Sequence, residues 1–184
     1  MVSPAAFDAE MARLTDLERS AWLLASGITL RRWDRPVEVL IRQAITLLVW
    51  LGRDNGYMFV HGATRTVIIG TDTVWKLALN SLGDKASEIE ATAAIPAPVA
   101  PARWQTIAGI RVLEMERVEL IEPDELSDDE LAANPWWTDV DAWQLGRRRT
   151  GELVVFDAGQ FGPGHRETMP DRYRARLQPR SEHL

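Results

Sequence analysis

The chain has 184 residues, 46% of them apolar, which is enough for a globular domain with a real core, alone or with a helical appendage. A formal net charge of −6 argues against general attraction to a nucleic-acid backbone, which needs clustered Lys and Arg. No cysteine is present, so disulfides, thiolate metal sites and cysteine nucleophiles are excluded together.

The basic runs Arg147-Arg148-Arg149 and 172–180 are expected to be solvated surface. No secretory leader pattern opens the chain, and its longest apolar stretch, 44–51, is too short to span a bilayer. A cytoplasmic protein with neither a membrane nor a nucleic-acid partner is expected.

Residues 1–55 read as a helical unit. Ser3 is an N-cap with Pro4 at the first helical position, and Phe7, Met11, Leu14, Leu17 and Leu24 recur near helical spacing up to Gly27. A second helix is predicted after Asp34, through Val37, Leu40, Ile41, Ala44, Ile45, Leu48 and Leu51 to Gly52. It is apolar nearly all round, which predicts burial between layers and packing of this unit against the core that begins at 56.

From Gly56 the pattern turns to strands. Residues 57–60, 66–69 and 74–79 are β-branched or aromatic runs separated by turn chemistry at 61–64 and 70–73, which predicts an antiparallel meander. A helix is predicted over 84–94, carrying Glu88 and Glu90, and Pro96, Pro98 and Pro101 then impose an extended loop. Strands at 104–107 and 111–115, with Gly109 in their turn, complete a sheet of about five antiparallel strands with one helix after the third. The fold class is α+β.

The eight Trp, at 22, 33, 50, 75, 104, 136, 137 and 143, are expected mostly in the core, with Trp136-Trp137 as an alternative pocket wall or partner surface. Residues 122–130 are expected to be a solvated loop and helix start, in which Ser127-Asp128-Asp129-Glu130 fits a capping box; a basic partner is the alternative use. His61, His165 and His183 are far apart and receive no metal role.

Chemistry concentrates further on. Asp139 is followed five residues later by the amide Gln144, then by a turn containing Gly and the apolar run Leu153-Val154-Val155-Phe156, which ends in Asp157-Ala158-Gly159. One carboxylate can orient an acceptor hydroxyl, while an amide oxygen and a second carboxylate can hold a divalent cation beside nucleotide phosphates. Taken singly, each has a plain reading: Asp139 as a cap or turn residue, Gln144 as a surface amide, Asp157 as a turn former, Lys76 as a lysine snorkelling from a strand edge.

The order of elements resembles the small lobe of a protein kinase: five strands, a helix after the third, and in the third strand Val74-Trp75-Lys76-Leu77-Ala78, similar to the V-A-I-K segment. The resemblance implies that Lys76 grips ATP phosphates and is held by Glu90, or failing that Glu88. It implies that Met115 and Glu116 belong to the hinge against which adenine lies, that Asp139 is the catalytic-loop Asp, and that Gln144 and Asp157 hold Mg²⁺. Gly62-Ala63-Thr64-Arg65-Thr66-Val67-Ile68 and a Gly opening the next helix, Gly83, are similar to small kinase-like proteins of bacteriophages and bacteria.

The likeness covers 56–160, leaving 161–184 as a tail. The G-x-G-x-x-G loop is missing, Trp137-Thr138 stands where His-Arg is usual, Gln replaces Asn at 144, and Ala158 replaces Phe. The intervals after Met115 and after Gly159 leave room only for a much reduced large lobe. The resemblance implies one of two functions. One is a Ser/Thr protein kinase using ATP and Mg²⁺; the other is a pseudokinase-like module that docks on a protein partner, a host factor in the host cytoplasm if the gene is viral.

Overall fold

The computed structural model describes residues 37–52, 58–62, 64–141 and 144–162. The helix expected before Gly27, the tail beyond 162, Trp22, Trp33, Trp143, His165, His183 and the side chain of His61 lie outside the described residues. Three helices are described, α1 (Val37–Gly52), α2 (Ser81–Thr92) and α3 (Asp128–Ala133). The strands are β1 (Met58–His61), β2 (Arg65–Ile69), β3 (Thr73–Ala78), β4 (Ala102–Ile107), β5 (Ile110–Glu116), β6 (Glu119–Leu120), β7 (Leu145–Arg147) and β8 (Leu153–Val155).

This is a mixed α+β chain with a five-stranded sheet in the order β1-β2-β3-β5-β4 and a three-stranded sheet in the order β6-β7-β8. It divides into two compact units, Met1–Asp84 with Trp104–Met115, and Lys85–Arg103 with Glu116–Leu184.

In the first unit β1, β2 and β3 form the expected antiparallel meander, with Val67 opposite Lys76 and Ile68 opposite Trp75. Because side chains alternate across a strand, Thr66, Ile68, Trp75 and Leu77 share one face, and Arg65, Val67, Val74, Lys76 and Ala78 share the other. The first face meets α1: Ala44 and Leu47 cluster with Ile68, Leu77, Ile110 and Val112. Each fully buried Leu or Ile there contributes about 1.5–3 kcal/mol.

The helix is amphipathic in place, not buried all round as its composition suggested. Leu40, Ala44 and Leu47 are fully buried at helical spacing, but Val39 is 46% and Trp50 68% exposed, because a sheet covers only one stripe of a helix. Between β4 and β5 the chain turns through Ala108 and Gly109, both at positive φ (49° and 78°), the mirror-image geometry that tight hairpins favour.

Helix α2 begins three residues before the predicted 84. Asn80 supplies the reason: its Oδ1 accepts the Gly83 N–H at 3.0 Å, a cap that starts the helix at Ser81. The helix closes at Thr92 in a Schellman pattern, with Ala94 N–H on the Ile89 carbonyl at 3.1 Å and Ala93 N–H on the Glu90 carbonyl at 3.4 Å. Ala93 takes the left-handed position (φ 50°) usually left to Gly, shortly before Pro96 opens the extended loop.

In the second unit β6, β7 and β8 pair antiparallel beside a cluster that includes Ile121, Leu126, Leu131, Trp137, Val140, Leu145 and Val155. The short strands β6 and β7 were not foreseen. Gly146 makes them possible, since a Cβ there would collide with the Val118 side chain. The predicted capping box is present: Ser127 Oγ accepts the Glu130 N–H at 3.2 Å and Glu130 Oε2 accepts the Ser127 N–H at 3.0 Å. Of the five described Trp, Trp137 is buried in the core, Trp75 and Trp136 are half-buried and packed against core clusters, Trp104 is half-buried and Trp50 is exposed. Among the described residues no helix is long and apolar enough to cross a membrane.

The run Arg147-Arg148 is not merely solvated. Arg147 binds Glu130 at 2.8 Å, while Arg148 bridges Glu116 at 2.8 Å and Glu152 at 2.6 Å. The Ser127 N–H, then Arg147, lower the Glu130 pKa from 4.5 to about 2. A carboxylate whose folded pKa is depressed adds stability above its unfolded pKa and loses it as pH falls through the folded one. Urea unfolding should therefore show that Glu130→Gln has a shallower loss of stability than wild type between pH 4.5 and about 2. Equal slopes would remove Glu130 from the acid response.

Candidate functional site

Two of the candidate residues, Lys76 and Met115, lie in the first unit. Strand β3 lies between β2 and β5, and Lys76 is 4% exposed, so it is not a lysine snorkelling from a sheet edge. An ammonium held in the interior costs several kcal/mol unless charge or hydrogen bonds compensate it. On β5, Ile110 and Val112 point into the α1 cluster, so alternation puts Leu113 and Met115, both buried, on the face that carries Lys76.

The other candidates, Glu90, Glu116, Asp139, Gln144 and Asp157, lie in the second unit. The β7–β8 pairing continues one step past the strands, with the Phe156 N–H donating to the Gln144 carbonyl at 3.1 Å. The Gly162 N–H donates to the Asp139 carbonyl at 2.8 Å, and the Gln144 N–H to the Asp141 carbonyl at 2.8 Å. Asp157 thus sits on a segment tied at both ends to the one bearing Asp139 and Gln144. The three residues proposed from sequence order are brought to adjacent backbone.

The plain readings of Asp139 and Asp157 as turn residues hold, and that of Gln144 does not. Asp157 precedes the 3-10 turn Ala158–Gln160 at its N-cap position, yet its side chain makes no capping hydrogen bond. Asp139 is half-buried at the end of the 3-10 turn Pro135–Asp139. Gln144 is not a surface amide: its Oε1 is buried and accepts no hydrogen bond within the chain. A buried acceptor left unpaired costs about 1–3 kcal/mol, so a ligand that satisfies this atom gains from doing so.

Helix phase separates the two candidate glutamates on α2. Glu88 is exposed, whereas Glu90 is 2% exposed and its Oε1 accepts the Ala158 N–H at 3.2 Å. One turn back, Ala86 sits against Gly159, where an added Cβ would lie 2.6 Å from the Ala86 Cβ. Gly159 is thereby required by close approach, and α2 fixes the two residues after Asp157. Glu116 is engaged otherwise: its carboxylate binds Arg148, and its N–H donates to the Pro101 carbonyl at 2.8 Å.

Among the described residues no three His, Cys, Asp or Glu gather as a metal site. Gln144 and Asp157 are an amide and a carboxylate, the oxygen donors that suit Mg²⁺ when phosphate and water complete its shell. No family model, curated protein or solved structure matches this chain. Arg65, in the segment Gly62-Ala63-Thr64-Arg65-Thr66-Val67-Ile68, is a buried cation at the start of β2.

Proposed function

We propose that the chain is a kinase-like protein with a degenerate ATP and Mg²⁺ site, built on a kinase-like small lobe with a much reduced large lobe, that transfers phosphate to a Ser or Thr hydroxyl of a protein. Five strands with a helix between the third and fourth, and a buried lysine in the third, support this reading. The single observation that carries it is Gln144 Oε1, a buried oxygen without a partner on backbone adjacent to Asp157.

In this reading Lys76 neutralises phosphate charge, and Met115 with Glu116 borders the base. Glu90 holds the segment after Asp157 in place, as its bond to Ala158 already does. Asp139 orients the acceptor hydroxyl and takes up its proton. Gln144 and Asp157 would hold the cation, which when bound spreads the charge on the transferring phosphoryl group. A protein with these properties works in the cytoplasm, the host's if the gene is viral.

The ATP affinity of wild type should rise about tenfold or more when Mg²⁺ replaces EDTA. Gln144→Leu and Asp157→Asn should abolish that rise while leaving the metal-free affinity in place. Asp139→Asn should cut phosphate incorporation into a protein acceptor by about 10²–10⁴-fold with ATP affinity unchanged. Mg²⁺-independent ATP binding by wild type would sink the site as drawn.

A second reading, an inactive pseudokinase-like module that docks on a protein partner, is favoured by one observation. Val39 and Trp50, about three turns apart and so on one face of α1, are both exposed. Large apolar side chains exposed on one helix face are typical of docking surfaces.

A further inference from the structure

We propose that the outer edge of β6 is a docking site for an extended basic peptide of a partner protein, which joins the β6-β7-β8 sheet as a fourth strand beside Leu120. The proposal is independent of the nucleotide reading and goes beyond it.

The phase of the ladder places the site. Among the described strands β6 pairs only with β7. Glu119 stands opposite Arg147 and Leu120 opposite Gly146, and the Ile121 N–H donates to the Leu145 carbonyl at 3.1 Å. In an antiparallel pair, residues that exchange hydrogen bonds alternate with residues that do not, and Leu120 is of the second kind. Its N–H and C=O therefore point away from β7, to the side on which no described strand lies. The side chain is uncovered as well: Leu120 is 67% exposed, and the residue opposite it is a glycine with no side chain to meet it. An exposed leucine beside an outward donor and acceptor is what strand addition uses, with backbone bonds supplying affinity and alternate side chains selecting the sequence.

Charge selects the occupant. No Lys, Arg or His occurs from 118 to 146, and Glu119, Glu125 and Asp129 within that span are exposed carboxylates. Glu125 reaches the end of the strand itself, since its Oε1 accepts the Glu122 N–H at 3.1 Å. The nearest cations of the neighbouring strand are engaged within the chain, Arg147 by Glu130 and Arg148 by Glu116 and Glu152. Edge strands are commonly kept from pairing with one another by charge. Here the exposed charges named are of one sign, so a second copy laid along this edge brings like charges together. A chain with Lys or Arg beside its apolar residues meets opposite ones.

Fluorescence anisotropy of the full chain with short end-blocked peptides tests this directly. One probe alternates Arg with Val, a second alternates Glu with Val, and a third is the Arg–Val peptide N-methylated at every residue, which keeps the charge but has no N–H to donate. Wild type should bind the Arg–Val peptide and not the Glu–Val peptide, and N-methylation should weaken binding about tenfold. Leu120→Pro removes the outward N–H while leaving the bonds of its neighbours to β7, and should also lose about tenfold. Leu120→Ser, which keeps the backbone groups if the proline variant fails to fold, should lose several-fold, as should Glu119→Lys. Equal binding of the N-methylated peptide, or unchanged affinity in both Leu120 variants, would overturn strand addition. No binding of the Arg–Val peptide to wild type, or tighter binding of the Glu–Val peptide, would overturn the proposal. A wild-type dimer in analytical ultracentrifugation that dissociates in Leu120→Ser would give the edge to a second copy and overturn it as well.

Discussion

Replacing Glu90 by Ala should lower the stability of the chain by about 3 kcal/mol. The Glu90 side chain is nearly wholly buried, and its Oε1 accepts the Ala158 N–H. Truncation leaves a buried donor unpaired, at about 1–3 kcal/mol, and opens a cavity that the neighbouring Ala86 and Gly159 contact cannot fill. Glu90→Gln keeps the volume and an acceptor oxygen, so its cost should be about 1 kcal/mol. The urea midpoints should therefore fall in the order wild type, Gln, Ala at an unchanged slope. Equal midpoints for wild type and the alanine variant would show that the Ala158 contact holds nothing together. Because Asp157 immediately precedes Ala158, the alanine variant should also weaken the response of ATP affinity to Mg²⁺.

Gly83→Ala is expected to be destabilising even though it puts the best helix former into a helix. Propensity favours Ala by about 1 kcal/mol, but the new Cβ would meet Thr64 O, with Thr64 C and Arg65 Cγ each 3.1 Å away. Thr64 O cannot retreat cheaply, since it accepts the Leu79 N–H at 2.9 Å. Overpacking against a fixed backbone costs about 3 kcal/mol, which leaves a net loss of about 2 kcal/mol. The thermal midpoint should drop by roughly 4–8 °C, at 2–4 °C per kcal/mol for a chain of this size. A midpoint equal to or above that of wild type would mean that the turn before Arg65 moves freely away from α2.

Glu90 and Gly83 lie on a helix whose existence and whose start were not equally legible. The five strands could be read from β-branched and aromatic runs broken by turn residues, and α2 from the helix-forming composition of 84–94. The start of α2 could not be read from the apolar pattern, since it is set by one side chain, Asn80, reaching Gly83. The exposure of Val39 and Trp50 was likewise invisible: composition reports how apolar a helix is, and only the partner sheet decides which stripe is covered. Strands β6 and β7 have too few residues to show a period and depend on Val118 lying over Gly146.

At the site, the order Asp139, Gln144, Asp157 was legible because those residues lie on consecutive segments that pair as a hairpin does. The commitment of Glu116 to Arg148 was not, since the partners are 32 residues apart in the chain and either could have met solvent. The burial of Glu90 and the exposure of Glu88 come from helix phase, which a sequence states only after the buried face is known.

The most direct measurement is thermal unfolding of the wild-type chain and of Lys76→Met against rising ATP with Mg²⁺. A ligand that binds only the folded state stabilises it by about 2.7 kcal/mol at a hundredfold excess over its Kd. Wild type should therefore melt several degrees higher at millimolar ATP, and Lys76→Met should show little or none of that rise. An unmoved wild-type midpoint at millimolar ATP and Mg²⁺ would contradict nucleotide binding outright, and a rise that survives in Lys76→Met would remove Lys76 from the site.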